Sequence, residues 1–164
     1  MRNIWLIGMM GSGKTSVGRG VAKKLQLTFV DSDDAVADTS GRSIDDLFSD
    51  GEHVFRGIEH DVIVALAASF DQVVATGGGA VLDSDNVAAM RDSGTTVLLD
   101  ADPQTLRARL EGSTGRPLLR GGADIAAIVR ERAPAYAMSA DITIDTTTRS
   151  VEDVVDEVVA CVPM

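Results

Sequence analysis

The sequence predicts an α/β fold, a mostly parallel sheet with helices on both faces. Three observations carry that expectation. Short apolar runs alternate with stretches of helical period along the 164 residues. A glycine-rich turn, Gly8-Met9-Met10-Gly11-Ser12-Gly13-Lys14-Thr15, joins the first apolar run to the first helical stretch. No internal repeat, low-complexity tract or linker divides the chain, and its length suits one compact domain over residues 1–164.

The elements follow in order. Residues 3–7 read as a buried strand and 14–25 as the helix after it. Residues 28–30 are a second strand. Residues 52–68 are a helix, because Val54, Phe55, Ile58, Val62 and Leu66 recur at three-to-four spacing. Residues 72–75, 96–99 and 141–144 supply three more strands. Asp102-Pro103 starts a helix that runs to about residue 111, with proline at its first position. Residues 124–136 are helical, with Pro134 expected to kink them. Val151, Val154, Val155, Val158 and Val159 keep a helical period at the end of the chain. Two segments break the rhythm. Residues 33–51 are acidic and only weakly periodic, and 111–122 hold four glycines, two arginines and a proline. Irregular stretches of that length inside a compact domain are usually functional or disordered.

Composition narrows the function. The chain is 45% apolar and 24% charged, ordinary for a globular protein. Fifteen basic residues against 25 acidic ones give a net charge of −10, which disfavours nucleic-acid or anionic-membrane partners. Any anionic ligand must therefore be drawn by local arginine clusters. The single Cys161 cannot form an internal disulfide, and no Cys/His spacing suggests zinc. No apolar stretch is long enough to span a bilayer, and the N-terminus lacks a signal-peptide pattern, so a cytoplasmic protein is the default expectation.

The motif at 8–15 fits GxxxxGK[ST], the phosphate-binding P-loop. Successive backbone N–H groups wrap a phosphate, and side chains at the glycine positions would obstruct the wrapping. The following helix presents its N-terminus to the anion. Gly11, Ser12, Gly13, Lys14, Thr15 and Ser16 are thus the expected nucleotide contacts, with Lys14 on the β/γ-phosphates and the Thr15 hydroxyl on Mg²⁺.

Four other stretches are candidates for an acceptor site. Asp31 and Asp33 lie at the C-terminal end of the second strand, the edge where ligands bind in open parallel sheets. If the strand extends that far both face one way. One then serves the metal shell and the other takes a proton or hydrogen bond from an attacking hydroxyl. A helix N-cap is the alternative. Arg56 and Glu59 share a face of the 52–68 helix, away from the apolar stripe, and by spacing alone read as a solvated ion pair. Gly77-Gly78-Gly79 follow the third strand, either for close ligand approach and unusual dihedrals or as a tight turn. Arg116, in the irregular 111–122 segment, suits a lid over a transferring phosphate or an ordinary flexible loop.

Taken together, GMMGSGKTSVG, DSDD, SGRSIDDLFSDGEHVFRGIE, GGGAV, GRPLL and ERAPAY, in this order and at these distances, resemble shikimate kinases over nearly the whole chain. The P-loop alone is generic; the remaining set is specific. The resemblance implies a three-layer P-loop kinase fold of the nucleoside monophosphate kinase type, with five parallel strands in the order 2-3-1-4-5. It implies transfer of the γ-phosphoryl of ATP to the 3-hydroxyl of shikimate, on the route to chorismate and the aromatic amino acids, with Mg²⁺ as cofactor. By residue, it implies Asp33 as shikimate ligand and base, and Asp31 beside Thr15 at the metal. Arg56 and Arg132 would hold the shikimate carboxylate. Glu59 would orient Arg56, and Gly77, Gly78 and Gly79 would line the pocket. Arg116 would act from the lid, and Arg109 and Arg149 would lie at the adenine. Residues 33–60 become the acceptor-binding region and 111–122 a mobile lid. A monomer is expected.

The chain departs from the pattern at Ser16, at Ser150-Val151 and at Ala137-Met138-Ser139, none of which removes a residue needed for chemistry. Two other readings remain at this level. One is a P-loop kinase for a different small acceptor, such as a sugar acid. The other is a non-catalytic ATP-binding switch.

Overall fold

The structure, a computed structural model, describes residues 2–111 and 124–163. Five parallel strands form one sheet in the order β2-β3-β1-β4-β5. They are β1 (Asn3–Ile7), β2 (Thr28–Asp31), β3 (Gln72–Ala75), β4 (Gly94–Asp100) and β5 (Ile142–Asp145). The helices are α1 (Lys14–Leu25), α2 (Ser32–Ser40), α3 (Ile44–Ser49), α4 (Glu52–Ala67), α5 (Ser84–Ser93), α6 (Pro103–Leu110), α7 (Ile125–Ser139) and α8 (Val151–Cys161), with a short 3₁₀ turn over Ala80–Leu82.

The alternation of β1 sorts the core into two layers. Ile4 and Leu6 face a cluster with Val17 and Val21 of α1 and Val154 and Val158 of α8. Trp5 and Ile7 face the opposite cluster, with Ile63 of α4, Met90 of α5 and Tyr136 of α7. All five β1 residues are buried, as a central strand covered on both sides must be. A third, smaller cluster joins Val36 of α2, Leu47 of α3 and Phe55 and Val62 of α4.

That third cluster corrects the reading of residues 33–51 as irregular. They form α2 and α3, each started by a side-chain cap: Asp31 accepts from the Asp33 N–H, and Ser43 from the Asp46 N–H. Two short helices, each with a single fully buried apolar anchor, leave too little period to detect. α5 also went unread, although Asp83 caps it by accepting from the Asp85 N–H. α7 continues as one helix through Pro134. The expected lid, 111–122, lies almost wholly outside the described residues, Arg116 included.

Asn3 ties the edges of the layers together. Its Nδ2 donates to the Ser69 carbonyl at 2.8 Å and to the Leu66 carbonyl at 3.3 Å, and its Oδ1 accepts from the Gln72 N–H at 3.2 Å. Opposite it, Gly94 opens β4. A Cβ there would come within 2.2 Å of the Asn3 carbonyl oxygen and 2.8 Å of the Trp5 ring. Backbone cannot retreat as a side-chain tip can. The Gly94→Ala variant should therefore lose about 1–3 kcal/mol, a Tm lower by roughly 2–10 °C in a thermal melt. An unchanged Tm would mean that β1 and β4 can separate without penalty.

Candidate active site

The glycines of the β1–α1 turn, expected for the room they leave around a phosphate, also supply unusual backbone dihedrals. Gly8, Gly11 and Gly13 have φ of 145°, 82° and 97°, where other residues would be strained. A side chain at Gly8 would also meet the Leu99 carbonyl oxygen at 2.4 Å. Lys14 folds back over the turn, its Nζ donating to the Gly8 and Met9 carbonyls at 2.8 and 2.9 Å. Thr15 Oγ1 donates to Asp31 Oδ2 at 2.9 Å, so the two predicted metal ligands are in contact.

Asp31 and Asp33 do not share one strand. β2 ends at Asp31, whose Oδ1 takes the Asp33 N–H at 3.0 Å and starts α2 there. The N-cap belongs to Asp31, and Asp33 reaches the site from the first helical turn. Both nevertheless line one cleft of about 530 Å³, together with Gly11, Gly13, Lys14, Thr15, Ser16, Arg56, Glu59, Gly77, Gly78, Gly79, Arg109 and Arg132. Ser12 is buried beneath the loop at 1% exposure. Arg149 is turned onto α8, ion-paired with Glu157 and donating to the Asp153 carbonyl, and does not line the cleft.

The triglycine turn needs its glycines for space. None of the three has a positive φ. A Cβ on Gly77 would lie 2.7 Å from Glu59 Oε1 and 2.8 Å from Asp33 Oδ1. One on Gly79 would lie 2.2 Å from Arg56 Nη2, and one on Gly78 3.4 Å from Arg132 Nη1. Two carboxylates and two guanidiniums thus rest directly on bare backbone. The turn itself is held in place: the Gly77 N–H donates to Ser32 Oγ, and the Ala80 carbonyl accepts from Asn86 Nδ2.

The Arg56–Glu59 pair is not a solvated one. Glu59 is 1% exposed, and Arg56 Nη1 donates to its Oε2 at 2.7 Å. Glu52 holds the same guanidinium from the other side, at 3.2 Å, and the Phe55 ring lies 5.1 Å beneath it. Phe55 stacks on Phe48 of α3 at 4.6 Å, which makes the unread α3 one wall of the site. Burial opposes the charge on Arg56, but Glu59 and Glu52 more than offset it and raise its pKa. Burial pushes the Glu59 carboxyl up, against the pull of Arg56 and with repulsion from Asp33. Among the described residues, Arg132 Nη1 and Glu59 Oε1 are buried without a hydrogen-bond partner. Buried groups left in that state are rare and favour a ligand that satisfies them. A small molecule bearing a carboxylate and hydroxyls has the matching chemistry.

The chain matches the family profile described as shikimate kinase over residues 10–163. It belongs to the shikimate kinase family. A shikimate kinase of Symbiobacterium thermophilum is 46% identical over 162 residues, spanning 95% of this chain and 93% of that protein. The structure of the shikimate kinase from Acinetobacter baumannii in complex with shikimate superposes with a TM-score of 0.93 at 32% identity, covering 96% of this chain and 90% of that one. The shikimate kinase from Bacteroides thetaiotaomicron gives 0.86 at 31% identity, covering 96% of each chain. The sheet order agrees with the fold that the family resemblance implied. Sequence reasoning missed Phe48, Thr76 and Asp34, which also line the cleft. Phe48 could have been found from the Ser43-x-x-Asp46 cap that opens its helix.

A raised Glu59 pKa has a definite sign in stability. The folded protein keeps the Glu59 proton to higher pH than the unfolded chain does. Ionising it in place therefore removes stability as pH rises through the range above ordinary carboxylates. The Glu59→Gln variant lacks this titration, so its Tm relative to wild type should climb as pH rises above the ordinary carboxylate range. A relative fall over that interval would mean that Arg56 outweighs burial.

Proposed function

We propose that this protein transfers the γ-phosphoryl group of ATP to the 3-hydroxyl of shikimate, giving shikimate 3-phosphate and ADP. The observation that carries this reading is the convergence of Arg56, Arg132, Asp33 and Glu59 on the triglycine turn, in the same cleft as the P-loop. A nucleotide-binding switch has no use for a second, carboxylate-selective pocket beside its phosphates. Membership of the shikimate kinase family and the likeness to a relative in complex with shikimate support the choice of acceptor.

The residues divide the work as phosphoryl transfer requires, by positioning and charge neutralisation more than covalent chemistry. The N–H groups around Gly11–Ser16 cradle the ATP phosphates, and Lys14 exchanges the Gly8 and Met9 carbonyls for phosphate oxygens. Arg109, which donates to the Gly11 carbonyl at 3.3 Å and the Thr146 carbonyl at 2.7 Å, borders the nucleotide end of the cleft. Arg56 and Arg132 clamp the acceptor carboxylate, and Glu59 keeps Arg56 in line. Asp33 accepts the proton of the 3-hydroxyl as its oxygen bonds to the γ-phosphorus and the bond to the ADP oxygen breaks.

Thr15 and Asp31 would hold Mg²⁺. Their adjacent oxygens are hard donors, and two protein ligands are the usual share when phosphates and water complete an octahedron. Bound there, the ion would neutralise charge on the β- and γ-phosphates. No helix among the described residues is long and apolar enough to cross a membrane. A cytoplasmic monomer completes the proposal and rests on the family resemblance.

ADP release in a coupled assay should appear with shikimate and not with gluconate, AMP or no acceptor. The Asp33→Asn variant should lose about 100-fold or more in kcat. Turnover on another acceptor would sink the acceptor assignment while keeping the nucleotide site; no turnover on any would favour the switch. A second expectation follows from the turn. The three heavy atoms nearest a Gly79→Ala methyl all belong to the Arg56 guanidinium, so the methyl would displace the tip of that side chain. Shikimate KM should rise by about tenfold or more with ATP KM nearly unchanged. A normal shikimate KM would mean that Arg56 does not bind the acceptor.

A further inference from the structure

Arg56 and His60 stand four apart on α4 and so share a helix face. Arg56 is used by the proposed acceptor site; His60 is not. The His60 ring meets α5 at Asn86, a residue only 1% exposed. A buried amide is unfavourable unless both of its ends are paired. Asn86 pairs both. Its Nδ2 donates to the Ala80 carbonyl at 3.1 Å, and its Oδ1 lies 2.8 Å from His60 Nδ1. The Ala80 carbonyl can only accept, which turns the nitrogen end of the amide toward it and the oxygen end toward His60. His60 Nδ1 must then carry a hydrogen and donate it. Asp83 Oδ2, 3.6 Å from the same nitrogen, is a further acceptor on that side, while Asp83 Oδ1 takes the Asp85 N–H as the cap of α5.

We propose that His60 and Asn86 are positioning residues of the acceptor site: two hydrogen bonds in series, His60 Nδ1–H to Asn86 Oδ1 and Asn86 Nδ2–H to the Ala80 carbonyl, tie α4 to the end of the triglycine turn. The role assigned to the turn rests on the function proposed above. Gly77, Gly78 and Gly79 have no side chains by which packing could fix them, so hydrogen bonds to the backbone must locate the turn. The Ala80 N–H donates to the Gly77 carbonyl at 3.1 Å and closes the turn on itself. Ser32 Oγ holds its beginning, at the Gly77 N–H, and Asn86 holds its end. The end is where Arg56 lies: a Cβ on Gly79, one residue before Ala80, would run into the Arg56 guanidinium. Successive turns of α4 thus meet successive residues of the loop, Arg56 by direct contact with Gly79 and His60 through Asn86 with Ala80. The relay fixes the gap between the Arg56 guanidinium and the backbone, and an acceptor carboxylate must enter beside that guanidinium. Without the histidine donor, the Asn86 amide can turn over about its last torsion, which is broad and two-fold, and the Ala80 carbonyl loses its partner.

The test is a pair of substitutions in the full chain at His60, whose side chain is 35% exposed and so tolerates replacement. His60→Phe keeps a ring and removes the donor. His60→Asn puts an amide nitrogen about where Nδ1 stands. Shikimate KM should rise about three- to tenfold in His60→Phe, the effect of a buried acceptor left unpaired, with ATP KM near wild type. In His60→Asn it should stay within about twofold of wild type. In an Arg56→Lys background, His60→Phe should raise shikimate KM by less than about twofold, because the group whose spacing it sets is gone. An unchanged shikimate KM in His60→Phe, an equal rise in His60→Asn, an equal rise in ATP KM, or full additivity with Arg56→Lys would overturn the proposal. The ring ¹⁵N signals of His60, assigned by their loss in His60→Phe, give a readout that needs no acceptor. At about pH 8, where an ordinary imidazole is neutral, the ring hydrogen should sit on Nδ1. A bare Nδ1 would refute the relay. Should the wild type fail to turn over shikimate, the functional reading falls, and these signals still decide whether the relay exists.

Discussion

The site depends on the parallel pairing of β1 with β3, which sets two glycine-rich turns side by side at one edge of the sheet. The register aligns Leu6 with Ala75, and one residue later the Thr76 N–H and Oγ1 both take the Leu6 carbonyl, each at 3.0 Å. The P-loop then leaves β1 as the triglycine turn leaves β3. A Cβ on Gly78 would stand 3.6 Å from the Met10 nitrogen and 3.8 Å from the Gly8 oxygen, so the two turns share a wall. In open α/β sheets ligands gather where neighbouring connections depart to opposite sides. Here β1 lies between β3 and β4, and the phosphate cradle sits at that switch point. An acceptor held on the second turn is thereby within reach of a phosphate held on the first.

Because that wall is bare backbone, charged side chains can approach it as closely as a ligand would. Glu59, Asp33, Arg56 and Arg132 come from α4, α2, α4 and α7 and meet only there. Bringing charges together under low exposure is unfavourable unless each finds a partner. Arg56 and Glu59 find each other, yet burial still drives the Glu59 carboxyl upward. Stability is given up so that donors and acceptors stand ready, a common compromise where a site must be shaped before its ligand arrives.

The strongly acidic balance of the chain and its anionic proposed ligands are compatible for the same reason. The negative surface is spread over α2, α3 and α8, whereas Lys14, Arg56, Arg109 and Arg132 are gathered along one cleft. Local guanidinium geometry, not net charge, decides what binds in a pocket with low-dielectric walls.

The sequence by itself determined the sheet and its long helices, because buried parallel strands and amphipathic helices leave strong local periods. It determined the P-loop as well, since its glycines, lysine and threonine stand at fixed spacing within residues 8–15. The short helices α2 and α3 were not legible: each has one buried anchor, Val36 or Leu47, and becomes a helix by capping and by packing on α4. Asp33 and Asp31 could be named from sequence, but their placement on successive elements was decided by a cap between them. The purpose of Gly77–Gly79 was likewise tertiary. Nothing local demands a missing Cβ there; the demand comes from Asp33, Glu59, Arg56 and Arg132, residues up to 55 positions away by number that only the folded sheet brings onto the turn.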